Sequence, residues 1–186
     1  MDNSPEIRRP GEDMIIPVAP GRRPLTLDLK PIQKAISRLQ EIRLVSPTRS
    51  GELLHLFNQG CLDCRDHIRL LNTEKHFVEQ FAKKMQYQAI FDRLPSILKE
   101  KGLANARSPV GSEDIRTMFL STDAEYQSAL DLKVNIEAAI EFFDARHEAL
   151  KRAYFATHKL TEKAGPSIVP AELQHIYYDT KEDKNV

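Results

Sequence analysis

The chain has no tryptophan, seven glycines and two cysteines in 186 residues. So few glycines leave few strand-and-turn signals, which disfavours a fold of many short strands. The two cysteines, spaced Cys-x-x-Cys, argue against a disulfide scaffold and fit a reducing, cytoplasmic compartment. No run of about 18 apolar residues exists, so no membrane span and no membrane partner is expected. The opening MDNSPEIRRPGED has no apolar stretch after its charges, so no secretory signal is expected. Net charge is also missing, with 27 Lys+Arg against 27 Asp+Glu.

What is present reads as helix. Hydrophobic residues make up 41% and charged residues 29%, a globular composition. Residues 122–164 form the longest periodic stretch. A seam at spacings of three and four runs through Ala129, Leu132, Ile136, Ala139, Phe143, Leu150, Ala153, Thr157 and Leu160, broken by Arg146. Thr122 with Glu125 makes a capping pattern at its start, and Gly165-Pro166 makes a stop. Such a helix is about 65 Å long, too long for a compact domain unless a second long helix lies against it. Residues 52–94 supply one. The seam from Leu53, Phe57, Cys61 and Cys64 through Ile68, Leu71, Val78, Ala82, Met85 and Ala89 has steps near 3.5, with Lys75 as its polar interruption. Gly60 and Asn72-Thr73 are candidate weak points, and Pro95 is the expected end. The two seams predict an all-α fold of two long helices, packed as an antiparallel or crossed pair with short helices around them.

Three segments follow. Residues 1–30 carry five prolines and the pairs Arg8-Arg9 and Arg22-Arg23, and predict an extended arm. It reads either as a disordered tail or as an arm that docks its Met14–Val18 patch on a neighbour or lays arginines on phosphate. Residues 31–165 form the helical domain. It opens with a helix at 31–44, a linker at Val45–Gly51, a loop at 102–112, and a short helix capped by Ser112 and ending near Phe119. Residues 166–186 form a charged tail with room for a small helix at Ala171–Tyr178. Charge is uneven: residues 1–111 hold 18 Lys+Arg against 13 Asp+Glu, and residues 112–186 hold 9 against 14. That fits an anionic partner for the first half, subunits meeting through opposite charge, or ordinary surface variation. Phe77, Phe81, Tyr87, Phe91, Ile140, Phe142 and Tyr154 lie off the seams, and this surplus favours packing between copies of the chain.

The chemical candidates are few. Cys61 and Cys64, with His55 and His67 nearby, resemble a metal cluster, but ligands from one helix do not enclose zinc. Both cysteines fall on the seam, which points to a structural role. Asp144-x-x-His147 lacks the second motif that a di-metal bundle needs. No phosphate loop, nucleophile elbow or zinc-protease motif occurs, so neither an enzyme nor a cofactor is expected. The basic residues Lys83, Lys84, Arg93, Lys99, Lys101, Arg107 and Arg116 interleave with Tyr87 and Phe91. Cations for phosphate and rings for bases are what single-stranded nucleic acid requires; the alternative is a solvated helix end.

Two stretches carry a family resemblance. FAKKMQYQAIFDRL (Phe81–Leu94) is a basic, then apolar, helix end leading to a loop. SEDIRTMFLSTDAEYQSALDLKV (Ser112–Val134) is an acidic start, a short apolar helix and a break before the last long helix. In pattern, residues 53–160 resemble the phage recombination mediators, the UvsY-like proteins. The resemblance implies a homo-oligomeric protein in the host cytoplasm that binds single-stranded DNA and helps load a RecA-type recombinase onto strands coated by single-strand-binding protein, with Lys83 and Lys84 on phosphate. The family's basic residues in the last helical turns are Gln88 and Ile90 here, with Arg93, Lys99 and Lys101 as replacements. The other expectation is a helical structural or scaffolding protein, for example of a phage particle, that assembles through its arms.

Overall fold

A computed structural model describes residues 6–7, 13–44, 47–103 and 109–163. Both long helices are present. Helix α2 spans Pro47–Gln88 and α5 spans Ala124–Lys163, with the shorter α1 (Lys30–Ser37), α3 (Leu94–Glu100) and α4 (Glu113–Thr122) packed with them. The seams are the core. On α2, Leu53, Phe57, Cys64, Leu71, Val78, Ala82 and Ala89 are buried, and on α5, Ala129 to Ala153 are buried at the expected positions. Near its end the α5 seam slips by one residue: Thr161 is buried and Leu160 is 45% exposed. A straight helix drifts about 20° per heptad from a 3.5 repeat, so a long seam rotates off its row.

The described residues divide into two compact units. One gathers residues up to Leu29 with Asp66–Phe143; the other gathers Lys30–Arg65 with the residues from Asp144 on. In the first, Lys75 Nζ meets Glu137 Oε1 at 2.9 Å. There Glu79 to Gln86 of α2 face Lys133 to Tyr126 of α5, so the two segments run antiparallel. The seam's polar interruption is therefore an ion pair. In the second unit, Gly60 is buried where α2 meets α1 and α5. A Cβ there would lie 2.8 Å from Leu150 Cδ1 and 3.0 Å from Ala35 Cβ. The glycine expected to weaken α2 is instead what lets its neighbours close in.

The described part of the N-terminal segment is not a free arm. Strands β1 (Glu6–Ile7), β2 (Met14–Ile16) and β3 (Leu25–Leu27) form an antiparallel sheet in that order, with Met14 opposite Leu27 and Ile16 opposite Leu25. Ala19-Pro20-Gly21-Arg22 turns the chain. Arg22 N donates to Ala19 O at 3.2 Å and Gly21 has φ +85°, the type II arrangement with proline second and glycine third. Met14, Ile16, Val18, Ala19, Leu27 and Leu29 are buried, so the apolar patch expected to dock on a neighbour belongs to this chain's own core. Arg22 closes the segment down: its Nε donates to Glu74 Oε2 at 2.8 Å, and its guanidinium lies 3.9 Å over the Phe77 ring.

Four boundaries differ from expectation. The first helix ends at Ser37 and gives way to a 3-10 stretch at Leu39–Leu44. Arg38 at that break binds Glu41 and Glu52. Helix α2 starts at Pro47 rather than after a linker, because proline's missing N–H costs nothing in a first turn. Pro95 does not end the helix. A π-turn at Ala89–Arg93 carries the chain into α3, with Leu94 N–H reaching Ala89 O and Ser96 Oγ donating to Asp92 O at 3.2 Å. The wider turn absorbs the proline that an α-helical ladder would reject. Last, Thr122 ends α4 and the cap of α5 is Asp123, whose Oδ1 accepts from Tyr126 N at 2.9 Å. Thr122 Oγ1 instead donates back to Phe119 O at 3.0 Å. The Ser112 cap of α4 is present: its Oγ accepts from Ile115 N. The expected helix at 171–178 and the Gly165-Pro166 stop lie outside the described residues.

Candidate nucleic-acid interface

The first unit carries the candidate surface on the outward face of α2. Its buried positions, Leu71, Val78, Ala82 and Ala89, fix the inward side. At about 100° per residue, the opposite side is Thr73, Phe77, Gln80, Lys84, Tyr87 and Phe91, and all six are exposed. His76 is exposed beside them, its ring 6.2 Å from that of Phe77. Tyr87 and Phe91, the expected stacking pair, are 61% and 50% exposed with ring centroids 4.6 Å apart. No carboxylate lies on this face from Thr73 to Phe91. Glu74 is turned in and bound by Arg22, and Glu79 lines a groove toward α5.

The basic candidates separate. Lys84 lies within the stripe. Lys83, one residue away, lines the groove with Lys133. Lys99 and Lys101 are exposed at the end of α3. Arg116 is half-buried on α4, which packs against the π-turn. Arg107 lies outside the described residues. Arg93 is differently employed from expectation. Its Nε and one terminal nitrogen donate to Asp123 at 2.8 and 2.6 Å, and the other donates to Glu125 at 2.7 Å. Three nitrogens on carboxylates make Arg93 a clamp from the π-turn to the start of α5. Burial alone would raise the Asp123 carboxyl, but the Arg93 guanidinium and the Tyr126 N–H hold it below the usual carboxylate range.

Sequence reasoning missed Phe77, His76 and Gln80 as members of this face, although their spacing from Lys84 (seven, eight and four) was there to read. In the second unit, Cys64 is buried and Cys61 is half-buried with its Sγ 3.8 Å from His147 O. Desolvation pushes their thiols up to about 12 and about 11. Among the described residues, no three His, Cys, Asp or Glu side chains are grouped to hold a metal ion, and no helix is long and apolar enough to cross a membrane. No family, curated protein or solved structure matches the chain.

Proposed function

We propose that this protein binds single-stranded DNA along the outward face of α2 and acts without catalysis, as a cytoplasmic accessory that helps load a RecA-type recombinase. The observation that carries the binding step is the carboxylate-free stripe on which exposed aromatic rings alternate with a cation and an amide. Stacking on Tyr87 and Phe91 tolerates any base, because every base has a π-face. Lys84, with Lys99 and Lys101 beyond the π-turn, supplies phosphate contacts. The mediator role, the partnership with single-strand-binding protein and recombinase, and the homo-oligomer come from the resemblance to UvsY-like proteins and stand or fall with it.

The test is anisotropy of a labelled strand of about 30 nucleotides with three variants. Tyr87→Ala and Phe91→Ala should each weaken binding about tenfold, as the loss of one stacked base does. Lys84→Ala should lower the salt dependence by about one phosphate's worth. Wild-type affinity in all three would remove the stripe from the account.

A second reading rests on a different face. In the same unit, the outward side of α5 shows Asp131, Val134, Ala138 and Glu141, all exposed and without a cation. That acidic strip and the exposed lysines Lys84, Lys99 and Lys101 on one unit suit head-to-tail assembly of copies, as in a scaffolding protein. Sedimentation without nucleic acid tests it: assembly lost in Asp131→Lys with Glu141→Lys favours this reading, and a monomer in the wild type ends it.

A further inference from the structure

Helix α5 carries a second row of residues at core-like spacing, and this one is exposed. Its first half is the acidic strip of the first unit: Asp131, Val134, Ala138 and Glu141. Its second half belongs to the second unit, where the same helix shows Arg152, Phe155 and Lys159, again all exposed. Steps of three and four residues alternate along both halves. Ala145 and Glu148, also exposed, continue that spacing from one half to the other. Such alternation is the seam of a coiled coil, which a helix uses to pack on another helix. Val134 is 60% exposed and Phe155 41%, so each half offers an apolar side chain between charges. Asp131, Glu141, Arg152 and Lys159 have no ion-pair partner among the described residues. Glu148 lies 3.6 Å from Lys151. From Ala149 to Thr161 the helix has no carboxylate at all.

We propose that α5 pairs antiparallel with α5 of a second copy, the acidic half of each lying on the basic half of the other. Charge sets the direction. A parallel pair would put acid on acid and base on base, whereas the antiparallel pair matches both halves at once. Arg152 then faces Glu141, Lys159 faces the Asp131 end, and Phe155 packs on Val134 and Ala138. The small Ala138 and Ala145 let the two helices approach. The same surface serves on both copies, so the contact is two-fold and closes as a dimer. A face that carries its own complement in reverse order fits a second copy better than any other partner. The proposal rests on the second reading above for the role of the acidic strip. It assigns that strip a different complement, Arg152, Phe155 and Lys159 in place of Lys84, Lys99 and Lys101.

Sedimentation of the full chain and its charge-reversal variants, without nucleic acid, tests it. The wild type should be a dimer. Asp131→Lys with Glu141→Lys makes the face predominantly basic, and Arg152→Glu with Lys159→Glu makes it acidic, so each variant alone should be a monomer. Mixed in equal amounts, the two should form a dimer with one copy of each, because every reversed half then meets a reversed half. Phe155→Ala should weaken the wild-type dimer about tenfold. Assembly lost in the first variant but kept in Arg152→Glu with Lys159→Glu would overturn this pairing and leave the second reading standing. A monomeric wild type would end both. Two monomeric variants with intact helical signal that form no mixed dimer would also overturn the pairing.

Discussion

Replacing Asp123 should separate two interactions that one carboxylate makes at the start of α5. Its Oδ1 caps the helix by accepting from Tyr126 N, and both oxygens accept from Arg93. The side chain is 7% exposed and that of Arg93 29%, so the pair is partly screened rather than free in water. Loss of a helix cap costs about 1 kcal/mol. Loss of a hydrogen-bonded partner for Arg93 costs about another 1 kcal/mol, below the usual range for charged hydrogen bonds because Glu125 still holds one nitrogen. Asp123→Ala should therefore cost about 2 kcal/mol. Asp123→Asn keeps the capping oxygen and should cost about half that. In urea, with a slope of about 2 kcal/mol per molar, the midpoints should fall by about 1 M and about 0.5 M. Equal midpoints for the two variants would mean that the cap contributes nothing. A Thr122→Ala variant as damaging as Asp123→Ala would mean that the cap sits at Thr122 after all.

Gly60→Ala should destabilise although alanine is the better helix former by about 1 kcal/mol, because overpacking against Ala35 and Leu150 costs about 1–3 kcal/mol; a thermal midpoint above wild type would contradict that packing. The Cys61 and Cys64 thiols, raised to about 11 and about 12 by burial, should react with iodoacetamide at pH 8 far more slowly in the native protein than in denaturant. Acid should weaken the first unit. The hydrogen bond from Lys75 holds the Glu137 carboxyl below its ordinary value of 4.5, and Asp123 is held below 3.8. Groups depressed in the folded state stabilise fully above their unfolded values and lose that contribution as pH falls through the folded ones. Urea midpoints should therefore be level above about pH 5 and drop below pH 4, and Lys75→Met should flatten part of that drop.

Much of the helical frame was legible because the core of two long paired helices is a one-dimensional pattern. Phe57, Leu71, Ile136 and Phe143 are buried where a 3.5 spacing puts them. What escaped was set by contacts distant in sequence or by backbone detail. The N-terminal strands are two or three residues long and too short to show alternation. Their signal was the Pro20-Gly21 turn, which marks a reversal but not what the returning strand covers. Pro95 reads as a helix end by local rules, and only the π-turn before it lets the helix pass. Arg93 looked like a phosphate ligand because its partners, Asp123 and Glu125, are 30 and 32 residues away. For the candidate surface, Tyr87 and Phe91 were readable as a pair. The separation of Lys83 from Lys84 was not, since it depends on where α5 lies.

The central claim is that the outward face of α2 holds single-stranded DNA through phosphate contacts and base stacking. Its most direct test is the affinity of the wild-type protein for a labelled single strand and for the matching duplex, between 50 and 200 mM salt. The three lysine–phosphate contacts, at Lys84, Lys99 and Lys101, give a salt slope of about −0.7 each, so single-strand affinity should fall roughly 20-fold over that range. The duplex, whose bases are stacked away from Tyr87 and Phe91, should bind more weakly at every salt. No binding at 50 mM, or equal affinity for both forms, would contradict the account.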